Sequence, residues 1–504
     1  MHHVKPGTWA GAAHFMTTVA PPRILLMGNI AGNSYTLAKL LRRRGIEVDC
    51  FSHGYDYHIG SPEWEDADFK TKGEIKELGH DWSSMDLNGF ERPHWYFEEF
   101  SSDASKFQYL AQAPSQVDPE MVLDPGLKWH PFAYTAQYGL RGCKPDFFRY
   151  GRLFKKVVSL ALGWFKNLPP HYLHLIKTYR CCAGSAGFSG ELTVFDIAHF
   201  EQQAHFAHLF SKYDLIQVAG LYDPGYPVLL APDKPLVYFE HGTLREAYER
   251  PTAINRMMVL ACYLAKNVVI TNADCWGVAE KMGVADKAVF IPHPIDDSIF
   301  QPAAEPELRR EFQEQTSSEF IIYSPARHTW DEKRNYILIE GFAQARSQGV
   351  PCGLVLCEWG KDMDRSQELL AERGIAEYTT WLPVQPKLQS ARNINACHIV
   401  IDQFFYQAFG TVAAEALSCG KAVVMKFDAE AHRKVFNELP PIVDAKDPPS
   451  VADAIHRLWE DADLRKNIEN KSHAWFEKYH SSELVVRKHL DIYSRILDID
   501  LHTL

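Results

Sequence analysis

Gly410, Thr411 and Glu415 lie close enough in sequence to hold a phosphate and a sugar together. They belong to the stretch His398–Val424, HIVIDQFFYQAFGTVAAEALSCGKAVV, whose pattern predicts strand, loop, helix, strand. His398–Phe404 is an apolar run with β-branched residues, and Phe409-Gly410-Thr411 is a turn. Thr411–Cys419 is rich in the helix formers Ala, Leu and Glu, Gly420 is a C-terminal glycine, and Lys421–Met425 resumes as a strand. A helix that opens beside a glycine presents unpaired N–H groups and a positive dipole end, which suits a phosphate. Glu415 lies one turn further along the same face, where a carboxylate can accept two hydroxyl hydrogen bonds, as from a ribose. The combination reads as a nucleotide-diphosphate site. The alternative is an ordinary βαβ unit with Glu415 on a solvated face.

The pattern F-G-x-x-x-x-E-A-x-x-x-G-K-x-V, from Phe409 to Val423, resembles the donor-binding core of the retaining family 4 glycosyltransferases (glycosyl transferases group 1), which have the GT-B fold. The resemblance implies an α/β chain of two Rossmann-like domains facing across a cleft. It implies that Glu415 reads the ribose of a nucleotide sugar and that Phe409, Gly410 and Thr411 line the donor site. A second family glutamate would fall at Gln407, an amide that bonds hydroxyls but carries no charge. Asp402 and Gln403, at the end of the preceding strand, are candidates for the missing polarity. The family also expects an arginine and a lysine on the donor diphosphate. Arg327 and Lys333, in SPARHTWDEKRN after the strand Phe320–Tyr323, take those positions with one extra residue between them. Two cations and a helix N-terminus can stabilise a leaving diphosphate without a metal. No D-x-D motif stands between the domains, so neither a metal nor another cofactor is expected. Read without the family, Arg327 and Lys333 are an exposed basic loop.

The elements that must position these residues follow in chain order. RILLMGNIAGNSYTLAKLLRRRGIEVDCFS predicts a strand at Arg23–Met27, a glycine loop, a helix capped by Ser34 and stopped by Gly45, and a strand at Ile46–Phe51. Gly28 and Gly32 do not complete a dinucleotide fingerprint. In GT-B enzymes this loop faces the cleft, which makes Gly32 a donor-phosphate candidate; a glycine needed only for packing is the alternative. Strands at Leu215–Val218, Leu236–Phe239, Val268–Thr271 and Ala288–Pro292 alternate with helices, which predicts a parallel sheet. Ligands of such sheets bind beyond the carboxyl ends of the strands, so His241, just after Leu236–Phe239, is a site candidate. The resemblance gives it contact with the sugar; a histidine bonded only to a loop is the alternative. IPHPIDDSIFQP resembles the family's passage between domains, with Asp296, Phe300 and Pro302 matching and a linker near 300–317. Strands at Leu354–Cys357, Thr380–Leu382 and Ile399–Asp402 build the second domain.

This divides the chain into an extension at 1–22, an acceptor domain at 23–310 with an insertion near 55–190, a donor domain at 317–480, and a last helix at 481–504. The 504 residues, 46% hydrophobic and 23% charged, describe a globular protein. A net charge of −11 speaks against nucleic acid as a partner. Ten cysteines without paired C-x-x-C spacing suit free thiols. Neither a signal peptide nor a transmembrane run is recognised, so a cytoplasmic location is expected. Between Tyr55 and Tyr150, Trp64, Trp82, Trp95, Trp129 and other aromatics form either a local core or an acceptor surface. From Arg141 to Arg180, nine cations face one acid, Asp146, among apolar residues. That stretch suits an anionic membrane surface, or equally a core helix with a solvated basic face. His199, His205 and His208 match no metal pattern.

The reaction expected is transfer of a sugar from a nucleotide sugar to a hydroxyl of a glycan or lipid-linked acceptor, with retention. A nucleotide-sugar-binding protein without catalysis and an NAD-dependent two-domain enzyme are the alternatives.

Overall fold

The computed structural model describes residues 21–53, 57–69, 75–76, 78–99, 170–187, 190–198, 200, 203, 205–220, 223–247, 252–406 and 410–503. The strands β1 (Ile24–Met27), β2 (Val48–His53), β3 (Tyr96–Glu99), β4 (Leu215–Ala219), β5 (Leu236–Phe239), β6 (Asn267–Ile270) and β7 (Ala288–Phe290) form one sheet. Its order among the described residues is β3-β2-β1-β4-β5-β6-β7, every pairing parallel. A second sheet, also all parallel, has the order β10-β9-β8-β11-β12-β13. Its strands are β8 (Phe320–Ser324), β9 (Cys352–Cys357), β10 (Thr379–Leu382), β11 (Ile399–Ile401), β12 (Ala422–Met425) and β13 (Val443–Asp444).

Helices cover both faces of each sheet, so its central strands must be apolar throughout rather than alternating. ILLM in β1 and AVVM in β12 satisfy this and are buried at every position. The strand order reverses at β1/β4 in the first sheet and at β8/β11 in the second. These are the switch points where loops diverge and a ligand crevice opens.

Several elements depart from the sequence reading. The helix after β1, α1 (Asn33–Arg42), is capped by Gly32 in a left-handed conformation, and Ser34 lies inside it. The linker is not extended: it holds the helix Pro306–Gln315. Two short helices, Val194–Ala198 and Phe206–Phe210, lie in the part of the chain before β4, with His205 at the start of the second. Part of the aromatic stretch is a local core: Trp64, Phe69 and Trp82 pack together, with Val384 of the second domain among them. Trp129 and the basic residues from Arg141 to Lys166 lie outside the described residues, as does His199. Lys177 and Arg180 lie on the helix Pro170–Ser185. Among the described residues no helix is long and apolar enough to cross a membrane, and no two of the described cysteines are joined to each other in a disulfide.

Two features tie the halves together. Asp296 in the linker accepts both ends of the Arg43 guanidinium at 2.8 Å and lies 2.8 Å from Lys39 Nζ. Burial alone would raise the Asp296 carboxyl; the Arg43 hydrogen bond and the Lys39 ammonium outweigh it and hold it well below the usual range. The helix Ser482–Leu497 then returns to the first sheet. Its Tyr493 hydroxyl donates to Gln217 Oε1 at 2.9 Å, and Val485, Leu490 and Tyr493 join the core of Ile24, Leu26 and Val48.

In the second domain the helices Asn335–Ser347 and Pro448–Glu460 meet at Gly341, where a Cβ would stand 2.6 Å from Val451 Cβ and 2.9 Å from Pro448 O. We expect Gly341→Ala to destabilise the protein by about 1–3 kcal/mol through overpacking. Denaturant unfolding read at a midpoint assigned to this domain would check it; an unchanged midpoint would mean that the helices separate freely.

Candidate functional site

The loops at the carboxyl ends of both sheets meet in a cleft. After β8 the chain runs through Arg327 and Lys333, and after β11 through Asp402 and Gln403. This is the switch point of the second sheet. Gly360, at φ +104°, leaves the room in which the loop after β8 folds: a Cβ there would stand 2.5 Å from His328 O. Arg327 Nη2 donates to Glu332 Oε2 at 2.8 Å. Lys333 Nζ donates to Gln403 Oε1 at 2.8 Å and faces the buried Asp402 carboxylate. Burial pushes the Lys333 ammonium down, with Asp402 opposing and Arg327 adding to the push. Burial raises the Asp402 carboxyl against the pull of Lys333. A half-buried ammonium of lowered affinity for its proton gains from an incoming anion, as a diphosphate would be.

The helix Thr411–Ser418 begins at Gly410, whose backbone is extended, and Thr411 in its first turn and Glu415 one turn on line a cavity between the domains. Gln407 and Phe409 lie outside the described residues. Glu415 is buried and is not solitary, as the sequence suggested: Lys387, at the start of the helix Lys387–Ala396, donates directly to its Oε1. Glu65 of α2 (Pro62–Asp66) lines the same cavity from the first domain, together with Asn33, Thr36 and Thr411. Gly32 has an immediate packing role. It adopts φ +73°, and a Cβ there would collide with the Glu65 carboxylate.

On the first-domain side, His241 follows β5. Its ring lies 4.2 Å from Phe239 and 6.0 Å from His293, and neither ring nitrogen has a hydrogen-bond partner among the described residues. Burial holds its imidazole down at about 3, so it is neutral at ordinary pH. Its neighbour Glu240 is fully buried and accepts from Asn272 Nδ2 at 3.3 Å and Thr271 Oγ1 at 3.3 Å. Arg245 is clamped by Asp274 at 2.5 and 2.6 Å, and its guanidinium lies 5.0 Å from the centre of the Tyr406 ring across the cleft.

Sequence reasoning missed Glu65, Lys387, Glu240 and Arg245. Ser61-Pro62 is a helix-start signal that could have located α2. Nothing local marks a pairing between residues so distant in the chain. Among the described residues no group of three or more His, Cys, Asp or Glu side chains could hold a metal ion.

Two Rossmann-like domains with parallel sheets whose carboxyl-end loops meet at one cleft constitute the GT-B fold. Comparison with solved structures agrees. A sucrose-phosphate synthase from Thermosynechococcus elongatus superposes with a TM-score of 0.55 at 14% identity, over 94% of this chain and 99% of that one. Anabaena HepE in complex with UDP and glucose gives 0.50 at 19% identity, over 59% and 82%. At such identities the likeness is one of fold.

Residues 305–475 match the family model of glycosyl transferases group 1, so the second domain is a domain of that family within a GT-B chain. A D-inositol 3-phosphate glycosyltransferase of Corynebacterium jeikeium is 31% identical over 129 residues, which are 25% of this chain. The matched stretch spans only 31% of that relative's length.

Two substitutions probe the donor side. Glu415→Ala should weaken nucleotide binding by about 10–100-fold, the worth of hydrogen bonds to a charged acceptor, measured by calorimetry. Arg327→Ala should lower turnover by about a hundredfold or more while leaving the fold intact. Unchanged transfer in both would move the donor site elsewhere.

Proposed function

We propose that this protein is a glycosyltransferase that moves a sugar from a nucleotide-sugar donor to an acceptor hydroxyl with retention of anomeric configuration, in the synthesis of a glycan or glycolipid. The observation that supports this reading is the pairing of Arg327 and Lys333 beside Asp402 at the second sheet's switch point, with the charge of Asp402 also reaching Glu415 on the helix that starts at Gly410–Thr411. The donor would lie mainly on the second domain and the acceptor mainly on the first.

In the reaction the bond from the anomeric carbon to the diphosphate oxygen breaks. A bond from that carbon to the acceptor oxygen forms on the same face. The acceptor proton passes to the departing diphosphate oxygen, so no side-chain base is required. Arg327, Lys333 and the helix amides spread the charge that develops on the diphosphate, and no metal is needed for this. Glu415 orients the ribose. A neutral His241 can exchange a hydrogen bond with a sugar hydroxyl without bringing charge to the reacting carbon. Closing the cleft assembles these groups around the substrates. A location in the cytoplasm, with the basic stretch at 141–180 resting on a membrane surface, would suit a lipid-linked acceptor.

The amide at Gln407 favours a second reading, a nucleotide-sugar-binding protein without turnover. A thermal-shift panel of UDP, GDP, ADP, their sugar conjugates and NAD decides between classes. At a hundredfold excess over its dissociation constant, a ligand adds about 2.7 kcal/mol to stability. A clear rise with one nucleoside diphosphate is expected. A rise with NAD alone would overturn the transferase reading, and binding without product formation would favour the second one.

A further inference from the structure

The cavity between the domains is lined by three carboxylates and one ammonium: Glu65 and Asp296 on the first-domain side, Lys387 and Glu415 from the second. Asp296 is already held by Arg43 and Lys39. Glu65 is 6% exposed and Glu415 2%. As the structure stands, the ammonium sits on Glu415. Among the described residues Glu65 accepts a long hydrogen bond from Thr36 Oγ1, at 3.4 Å, and Lys387 lies within its electrostatic reach.

Glu65 is held from both sides of the cleft, whereas Lys387 has one ion-pair partner, Glu415, among the described residues. The α2 segment is pinned to the second domain by Gln389 Nε2, which donates to Asp68 Oδ1 at 2.9 Å, and by Trp64 packed in the cluster that includes Val384. Gly32 leaves the space in which the Glu65 carboxylate lies. A lysine, by contrast, is a point charge on a flexible stem that can serve either carboxylate. A Glu415 carboxylate occupied by an ammonium is a poor acceptor for hydroxyls, because its lone pairs are engaged.

We propose that Glu65 is a positioning residue of the donor site: it draws the Lys387 ammonium away from Glu415 and so frees that carboxylate for the ribose hydroxyls of the donor. This rests on the reading of Glu415 as the ribose-binding group. It makes the first domain a determinant of donor affinity without its touching the nucleotide. With Glu65 in place and no donor the ammonium rests on Glu415, so its transfer to Glu65 accompanies donor binding, and opening the cleft would remove the carboxylate that receives it.

The charge on Glu65 is then what matters. The groups facing it are Lys387, Lys39, Asp66 and Glu415, and burial, the largest influence, pushes its carboxyl up to about 7. Protonated Glu65 cannot hold an ammonium. Donor affinity should therefore fall as pH drops through that value and recover above it.

The test uses the full chain and UDP-, GDP- and ADP-glucose as probes, whose diphosphates do not titrate near neutrality. Calorimetry between about pH 6 and 8.5 would follow affinity. Glu65→Gln should weaken binding by about tenfold at the upper end and flatten the pH profile. In a Lys387→Gln background the same substitution should change affinity by less than about twofold, because the ammonium to be moved is gone. Equal losses in both backgrounds, or a Glu65→Gln protein that binds like the wild type, would overturn the proposal while leaving the donor site in place. If Glu65→Gln fails to fold, a wild-type affinity that stays flat through pH 7 overturns it alone. A wild-type protein that binds none of the probes refutes the transferase reading itself, and this one with it.

Discussion

The Asp296 carboxylate is the contact on which the arrangement of the cleft depends. Lys39 on α1 and Arg43 just after it meet Asp296, which lies a few residues before the linker. Lys39 lies simultaneously against Asp66 at the end of α2. One buried charge cluster thus fixes α1, the linker and α2 relative to one another. Glu65 is the residue before Asp66, so its placement in the cavity is inherited from Asp296. Removing one member of a buried cluster leaves the others unpaired, at a cost of about 3–5 kcal/mol.

The two sides of the cleft have different electrostatic characters. The second domain brings Arg327, paired with Glu332, and Lys333, bonded to Gln403 beside the Asp402 carboxylate. The first domain brings His241, uncharged, and Arg245, already committed to Asp274. The division suits a reaction in which charge builds on the leaving diphosphate and the incoming nucleophile is a neutral hydroxyl. Preorganised cations act where the charge develops and need no rearrangement at that moment.

Much of this was legible in the sequence because its physics is local. β1, β12 and the helix from Thr411 announce themselves by apolar runs and glycine punctuation. The topology of alternating strands and helices by itself puts His241, Arg327 and Asp402 at strand ends. The Lys387–Glu415 pair and the entry of Glu65 were not legible, since neither is signalled by spacing or by a neighbouring residue type. The helix in the linker was missed because the family pattern suggested a passage, although Pro306 followed by Glu307 is a sound helix start. The capping of α1 went to Gly32 instead of Ser34 because the close approach of Glu65 demands a residue without a side chain.

The return of the helix Ser482–Leu497 has a consequence for biogenesis. On the ribosome, β1 emerges early, but the apolar surface of Ile24 and Leu26 is completed by Val485, Leu490 and Tyr493, made only after the whole second domain. The second domain can close its own core while the first still waits with an uncovered flank. Folding of this chain is therefore not strictly vectorial: the half synthesised first is finished last, and until then it is the half that most needs shielding from other chains.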